Sequence, residues 1–480
     1  MDGSVFFFVN GKPFRISGPA IFETVANFLR YRLCATGTKI VCEEGDCGAC
    51  SVLVGRIDGD GLSYRPINAC IQFLYQIHGT HVVTVEGLGS SDELHPVQDA
   101  MVRCHGAQCG YCTPGFIVAM CAMYESPEIP TARTIRTALT GNLCRCTGYE
   151  PIIQAGLSVD RSVVRTMAEM YPAEPMLPGL REQLGRPLLV EYEGRKFFAP
   201  TTVDEAVRFR SDHPGTVIVQ GGTDVVVQHN KRGFDPPVVM NLSNVPELGE
   251  SSLEGGVLSV GATVTLAQLD KTIRDLVPEF GTILELFGAP QIRYAGTLAG
   301  NVANASPIAD SLPFLYVMDA KVELAGIEGR REVPIASFYL GYKKLDLRHD
   351  EIITRILIPL PDGVANRSEV LKLYKVSKRK HLDISTLTAA IRMSVSGGNV
   401  ERPVVVYGGV GPTVLRLGRT ESFLDGRAFS FDTFRSAGRM AREEISPISD
   451  VRGTAAFRGQ LAENIMLKFY YECAAEGVSS

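Results

Sequence analysis

The chain has 480 residues, 45% of them hydrophobic and 21% charged, with a formal net charge of -5. That length exceeds one ordinary core and predicts two to four domains, and the charge balance, with no Lys/Arg-rich run, gives no sign of a nucleic-acid partner. No stretch approaches the ~18 apolar residues of a membrane span, and the short apolar run Val5 to Val9 has no basic leader, so a soluble, cytoplasmic protein is expected.

In chain order, residues 1–87 predict short strands around one helix. Ser4 to Val9 is β-rich and Gly11-Lys12-Pro13 is a turn signal. Thr24 to Leu33 carries Val25, Phe28, Leu29 and Leu33 at helical spacing, and Ser51–Val54, Tyr64–Ile67 and His81–Val85 follow as strands. This is the pattern of a ferredoxin-like β-grasp domain. Residues 88–165 change to four short helices, His95–Cys104, Pro114–Tyr124, Thr131–Thr140 and Pro151–Val164, with Pro114 and Pro151 where a first turn tolerates proline. Prolines at 172, 175, 178, 187 and 200 then predict a boundary, with a linker at 166–193. Beyond it, Thr202–Ser211 reads as a helix capped by Thr201 and Thr216–Gln220 as a strand. Mixed strands and helices run to 365, and 366–480 holds strands Leu387–Val395 and Val404–Tyr407 before a helical tail from Phe431 to Glu472. The fold class expected is α+β multidomain: β-grasp domain, four-helix iron–sulfur bundle, a two-part α+β domain at 194–365 and a C-terminal α+β domain.

Eleven of the twelve cysteines precede residue 147, leaving only Cys473 outside. In a reducing compartment such a set points to metal rather than disulfides. Cys42, Cys47 and Cys50 have the spacing C-x4-C-x2-C, with Cys70 twenty residues on. Four thiolates in this loop spacing suit a plant-type 2Fe–2S cluster. Gly45 and Gly48 let the loop take positive φ and turn N–H groups toward the sulfurs. A structural zinc is the alternative, though zinc ligands usually come as two close C-x2-C pairs. Cys34 is expected as a buried thiol on the preceding helix. A second set, Cys109 and Cys112 before one helix and Cys144 and Cys146 before another, would clamp the bundle, and its anionic cluster would sit at helix N-termini. The Cys144-x-Cys146 pair is too tight for an ordinary disulfide.

The runs Cys42–Cys50, Gln108–Gly115 and Gly141–Ile152 together resemble the paired cluster signatures of the molybdenum hydroxylase family, which includes xanthine dehydrogenases and aldehyde oxidases. Within it the chain is similar to the small iron–sulfur/FAD subunit of the split bacterial xanthine dehydrogenases, over about residues 1–470. That resemblance implies that Gln108 and Cys146 lie near the molybdopterin of a partner subunit. Cys104, Cys121 and Cys473 match no cluster position and read as ordinary thiols, and His105 reads as a surface or structural residue rather than a ligand.

Gln220-Gly221-Gly222-Thr223-Asp224, followed by Val225, resembles the pyrophosphate turn of the family's FAD domain, where paired glycines free N–H groups for a phosphate. The segment Phe287 to Asn301, continuing to Asp310, resembles its second FAD segment. It implies Phe287 beside the isoalloxazine, with Thr297, Gly300, Asn301 and Asp310 on the phosphates and the ribityl or adenosine parts. By the same resemblance Ile353 packs on the flavin, Lys375 reaches its polar edge and Tyr342 lies near the nicotinamide path. Taken singly, Tyr342 and Ile353 could equally be core residues and Lys375 and Arg379 solvated charges. No G-x-G-x-x-G opens a helix here, so a separate Rossmann nicotinamide domain is not indicated.

The resemblance implies that electrons from a partner-bound molybdenum cofactor pass through the Cys109/Cys112/Cys144/Cys146 cluster, then the Cys42/Cys47/Cys50/Cys70 cluster, then FAD, then NAD, with no catalytic acid, base or nucleophile on this chain. It further implies hypoxanthine and xanthine oxidation to urate in a heterotetramer of two small and two large chains. An aldehyde or another N-heterocycle as substrate, O2 as acceptor, and a stand-alone redox carrier are the alternatives.

Overall fold

The computed structural model of the protein describes residues 3–360 and 369–478. The chain forms two compact units: Met1–Glu247 with Ala289–Gly296, and Leu248–Gly288 with Thr297–Ser480. The expected boundary at 365/366 lies outside the described residues.

In the first unit, the apolar run Val5–Val9 is a strand buried along its whole length. Successive side chains of a strand point to opposite faces. Accordingly Val5, Phe7 and Val9 pack with Val25, Phe28 and Leu29, while Phe6 and Phe8 pack with Leu53, Val97, Phe116 and Met120. Covering both faces explains the unbroken hydrophobic run, and each buried Phe contributes roughly 1.5–3 kcal/mol. The sheet order is Lys12–Ile16, Val5–Val9, His81–Val83, Ser51–Asp58, Gly61–Asn68. Val5–Val9 pairs parallel with His81–Val83 and antiparallel with Lys12–Ile16, as the β-grasp expectation requires. The predicted helix starts at its Thr24 cap, but after Val25–Asn27 it widens into a π-helical turn, Phe28–Arg32. Cys34 therefore falls beyond the helix, at φ +56° and exposed, which corrects its assignment as a buried thiol.

The four helices of the bundle are Pro96–Arg103, Thr113–Tyr124, Ala132–Ala138 and Glu150–Ser158. Thr113–Tyr124 is apolar almost all round because it lies at the centre of this core. The fourth helix stops at Ser158, short of the predicted Val164. Residues 166–193, expected as a linker, carry helices Met167–Met170 and Leu177–Leu184 and the whole of strand Leu188–Tyr192. That strand leads a four-stranded sheet, Leu188–Tyr192, Arg195–Ala199, Val238–Met240, Val217–Ile218. Helix Val203–Asp212 is capped by Thr202, whose hydroxyl accepts from the Glu205 N–H, rather than by Thr201. The three-residue spacing of Thr202 and Glu205 completes a capping box.

In the second unit, an antiparallel sheet runs Ser251–Glu254, Val257–Gly261, Ile352–Pro359, Lys321–Gly326, Gly329–Pro334, over a core containing Phe280, Phe314, Leu324 and Ile356. A second sheet, Glu369–Val376, Leu387–Ser396, Asn399–Gly408, Leu415–Arg416, packs on the tail. That tail is two helices, Phe431–Glu444 and Ala455–Ala475, because Pro447 interrupts the pattern. Among the described residues no helix is long and apolar enough to cross a membrane.

Candidate electron-transfer site

The eight motif cysteines gather in the first unit as two groups. In the first, the Cys42 thiol lies within hydrogen-bonding reach of Cys47 and Cys70, and Cys70 of Cys50. The loop that carries them turns at Gly45 and Gly48, with φ of +75° and +68°. In the second, the Cys146 thiol donates to Cys109 at 3.4 Å, and Cys112 lies within reach of Cys144. Cys112 is the N-cap residue of Thr113–Tyr124, and Cys144 and Cys146 precede Tyr149, the N-cap of Glu150–Ser158.

As thiols these groups share protons. Hydrogen bonds from Cys47 and Cys70 hold Cys42 far below the ordinary thiol range, and donating to Cys42 pushes both partners up. At the surface, the Tyr111 N–H and the Cys146 thiol lower Cys109, and Cys146 is raised by donating to it. Burial pushes Cys112 up to about 12. Burial also opposes ionisation of Cys144, but hydrogen bonds from Thr147 outweigh it: the hydroxyl lies 3.1 Å and the N–H 3.5 Å from the sulfur. Four sulfurs crowded in this way cannot all be anionic unless a cationic centre lies among them. In the first group the sulfurs run in a chain, Cys47, Cys42, Cys70, Cys50, and in the second they meet as the pairs Cys109/Cys146 and Cys112/Cys144. A binuclear cluster uses two thiolates on each iron, so the donor set fits 2Fe–2S.

The two groups differ in exposure. Cys50 and Cys70 are 2% and 3% exposed, whereas Gln108, Cys109 and Cys146 stand at the surface. A direct link joins the two loops: the Leu143 N–H donates to the Cys47 carbonyl at 3.0 Å. Asn142 donates to the Gly48 carbonyl at 3.1 Å. Gln291 donates to Asn142 Oδ1 at 2.9 Å and to Ser51 Oγ at 3.2 Å.

Around the first unit's flavin motif, Gln220 is tied to Ser243 at 2.9 Å and to the Leu242 N–H at 3.1 Å. The Gly221 and Gln220 carbonyls accept from Gln72 and Gln76 at 2.6 and 3.0 Å. Gly222 has φ +72°, and Thr223 and Asp224 lead into helix Val225–Arg232. A glycine-rich turn opening a helix offers N–H groups and a positive dipole end to phosphate, so these residues fit a pyrophosphate. Gly221 lies against Ala295, where a Cβ would come within 2.2 Å of its carbonyl oxygen, so the two sequence-distant motifs meet. Asn230, on the same helix, donates to the Cys70 and Glu43 carbonyls at 2.8 and 2.9 Å.

In the second unit, Phe287 ends helix Pro278–Leu286 and packs on the core. Thr297 caps helix Leu298–Ala303, its hydroxyl accepting from the Gly300 N–H at 2.9 Å, and Asn301 accepts from Ser311 at 2.6 Å. Asp310 pairs with Lys375 at 2.5 Å and accepts from Ser385; neither partner of the ion pair is more than 9% exposed. Lys375 is therefore committed to Asp310 and is not a solvated charge. Ile353 is buried, whereas Tyr342 is 62% exposed and no core residue. Cys104 is half-buried, Cys121 and Cys473 are buried, and His105 is exposed. Sequence reasoning missed Asn142, Gln291, Asn230, Gln72, Gln76 and Thr147; of these only Thr147, beside a ligand cysteine, carried any local signal.

The chain matches three domain families: a [2Fe-2S] binding domain over residues 84–157, the FAD binding domain in molybdopterin dehydrogenase over 191–361, and the CO dehydrogenase flavoprotein C-terminal domain over 372–473. It is 28% identical to xanthine dehydrogenase of Emericella nidulans over 99% of its own length and 39% of that protein. Identity to aldehyde oxidase 4 of Cavia porcellus is 29%, over 97% of this chain and again 39% of the relative. The chain thus spans about two fifths of the curated relatives it matches. Among solved structures, a carbon monoxide dehydrogenase chain from Hydrogenophaga pseudoflava is 26% identical with a TM-score of 0.54, covering 57% of this chain and 94% of that one. A chain of quinoline 2-oxidoreductase from Pseudomonas putida 86 is 28% identical with a TM-score of 0.54, covering 59% and 97%. Carrying 2Fe–2S and FAD domains of these kinds, the chain belongs to the molybdenum hydroxylase family of oxidoreductases, of the xanthine dehydrogenase and CO dehydrogenase type.

Proposed function

We propose that this chain is the cytoplasmic electron-transfer subunit of a split bacterial xanthine dehydrogenase, working with a large molybdenum-binding chain in a heterotetramer of two small and two large subunits. Cys109, Cys112, Cys144 and Cys146 hold the entry cluster, with Gln108 and Cys146 on the molybdopterin side, and Cys42, Cys47, Cys50 and Cys70 hold the inner one. Gln220 to Val225 cradle the FAD pyrophosphate, and Phe287, Thr297, Gly300, Asn301, Asp310, Ile353 and Lys375 bind the rest of the cofactor, with Tyr342 toward NAD. The domains are proposed at 1–87, 88–165, 194–365 and 366–480. FAD, when bound, accepts single electrons from the clusters and releases them in pairs as hydride; the protein sets spacing and potential. The partner oxidises hypoxanthine and xanthine to urate.

The contrast in exposure carries this reading. A cluster whose cysteines reach the surface at Cys109 and Cys146 suits electron entry from another chain, and one enclosed at Cys50 and Cys70 suits onward transfer inside this one. Its test is copurification with the native partner, followed by iron, sulfide, FAD and molybdenum per protomer. About four irons are expected, two per cluster, with one FAD and partner-bound molybdenum. Zinc in place of iron, or no flavin, would refute it. Cys146→Ser should remove one cluster's signal and uncouple substrate oxidation from NAD reduction. Aldehyde or another N-heterocycle as substrate is the second reading, favoured by aldehyde oxidase relatives as similar to this chain as the xanthine dehydrogenases. Turnover assays of the copurified complex with purines, aldehydes and quinoline separate the two.

A further inference from the structure

The side chain that ties the two cysteine loops together comes from neither of them. Gln291 lies in the segment Ala289–Gly296, which belongs to the first unit although the sequence on either side of it belongs to the second. Its side chain is 1% exposed. Its amide nitrogen bridges Ser51, next to Cys50, and Asn142, two residues before Cys144, and both of these are also buried. Asn142 and Ser51 in turn converge on one acceptor, the Gly48 carbonyl, at 3.1 and 2.7 Å. Beside them runs the Leu143 N–H bond to the Cys47 carbonyl. Cys47 and Cys144 are therefore separated by one hydrogen bond and one peptide unit.

The fit is close on every side. A Cβ on Gly141 would come within 2.1 Å of Gln291 Oε1, and one on Gly115 within 2.2 Å of the Gly48 carbonyl oxygen. The buried Oε1 has no hydrogen-bond donor among the described residues. Leaving a polar atom unsatisfied costs about 1–3 kcal/mol, so the amide is held here by its two donor bonds and by shape.

We infer that Gln291, acting through Asn142 and Ser51, is a positioning residue for electron transfer between the two clusters: it holds the Cys47–Leu143 hydrogen bond closed and so fixes the shortest covalent and hydrogen-bonded route from one cluster to the other. The step is the movement of one electron from the reduced cluster at Cys109, Cys112, Cys144 and Cys146 to the oxidised cluster at Cys42, Cys47, Cys50 and Cys70. No bond forms and no proton is required. The inference rests on the cluster assignment proposed above.

The experiment compares full-length wild type with Gln291→Met, which keeps length and loses both donor bonds, and with Gln291→Asn, which keeps the donating amide one methylene shorter. Each protein is reduced with dithionite. Electron paramagnetic resonance reads the magnetic splitting between the two clusters, and hydrogen exchange reads the Leu143 amide. The expected result for Gln291→Met is full iron and sulfide content, both cluster signals present, the splitting narrowed or lost and the Leu143 amide exchanging faster, with partial recovery in Gln291→Asn. Unchanged splitting and unchanged exchange in Gln291→Met would overturn the inference, as would loss of a whole cluster from a folded variant. If Gln291→Met does not fold, Ser51→Ala is judged by the same two measurements. A wild-type protein without two 2Fe–2S signals would instead refute the cluster assignment.

Discussion

Replacing Gly48 by alanine tests the closeness of the two cysteine loops with a single methyl group. At φ +68° an L-residue is strained by roughly 1–2 kcal/mol. The new Cβ would also lie 2.1 Å from the Gly141 carbonyl oxygen and 2.6 Å from Asn142 Nδ2, a backbone and a side-chain atom of the segment that leads to Cys144. Overpacking of this kind costs about 1–3 kcal/mol. If the loops part to relieve it, the bond from Asn142 to the Gly48 carbonyl is lost as well, adding ~1 kcal/mol. The expected destabilisation is therefore roughly 3–6 kcal/mol, which corresponds to about 100- to 20,000-fold faster exchange of the Leu143 amide, since ~1.4 kcal/mol is tenfold in an equilibrium. Gly110→Ala is the control. Gly110 also has positive φ, +80°, but a Cβ there meets nothing within 4 Å, so only the ~1–2 kcal/mol of strain applies. Urea midpoints and amide exchange measured on both variants decide the matter. A Gly48→Ala protein within about 1 kcal/mol of Gly110→Ala would show that the loops can separate freely, against the geometry described.

Three other outcomes follow from the same coordinates. His78 and His81 are buried neutral, each lowered to about 4 by burial, and each accepts a backbone N–H, from Phe6 at 3.1 Å and from Gly11 at 2.9 Å. Their stabilisation is complete above the unfolded value near 6.5 and is lost as pH falls, by about 3 kcal/mol each at pH 4; a urea midpoint that does not move between pH 7 and 4 would contradict this. Asp310→Asn should destabilise the second unit by about 3–5 kcal/mol, since it leaves the Lys375 ammonium buried and unpaired, and it should reduce flavin retention, as should Phe287→Ala; adding Lys375→Met should restore most of the stability, by urea titration. In protein stripped of iron, iodoacetamide near pH 8 should label Cys144, which Thr147 lowers, well before Cys112, which is raised to about 12, and Thr147→Ala should slow the Cys144 reaction; mass spectrometry reads both.

The gathering of the eight cysteines into two groups was legible in the sequence because it is written in local spacing, C-x4-C-x2-C and C-x2-C followed by C-x-C. The central strand and the four bundle helices were legible for a related reason, since burial on two faces or one imprints a short period on the chain. Other features depend on how local structure ends. Cys34 was misplaced because a π-helical turn at Phe28–Arg32 closes the helix two residues before it. The expected cap Thr201 gives way to Thr202 because only Thr202 has the three-residue spacing to Glu205 that closes a capping box. Gln291 could not be found this way at all. Its partners Asn142 and Ser51 lie 149 and 240 residues away, and its own neighbours in sequence resemble a flavin-binding segment.

The return of Ala289–Gly296 to the first unit also sets an order of events during synthesis. All eight motif cysteines lie in the first 146 residues, whereas Gln291 is made about 145 residues after the last of them, some seven to thirty seconds later at ~5–20 residues per second. A fragment ending at Glu247 would contain all eight motif cysteines and none of this closing segment, and no single cut in the gene releases either unit whole. The eight cysteines thus exist before the side chain that ties their loops together has been made.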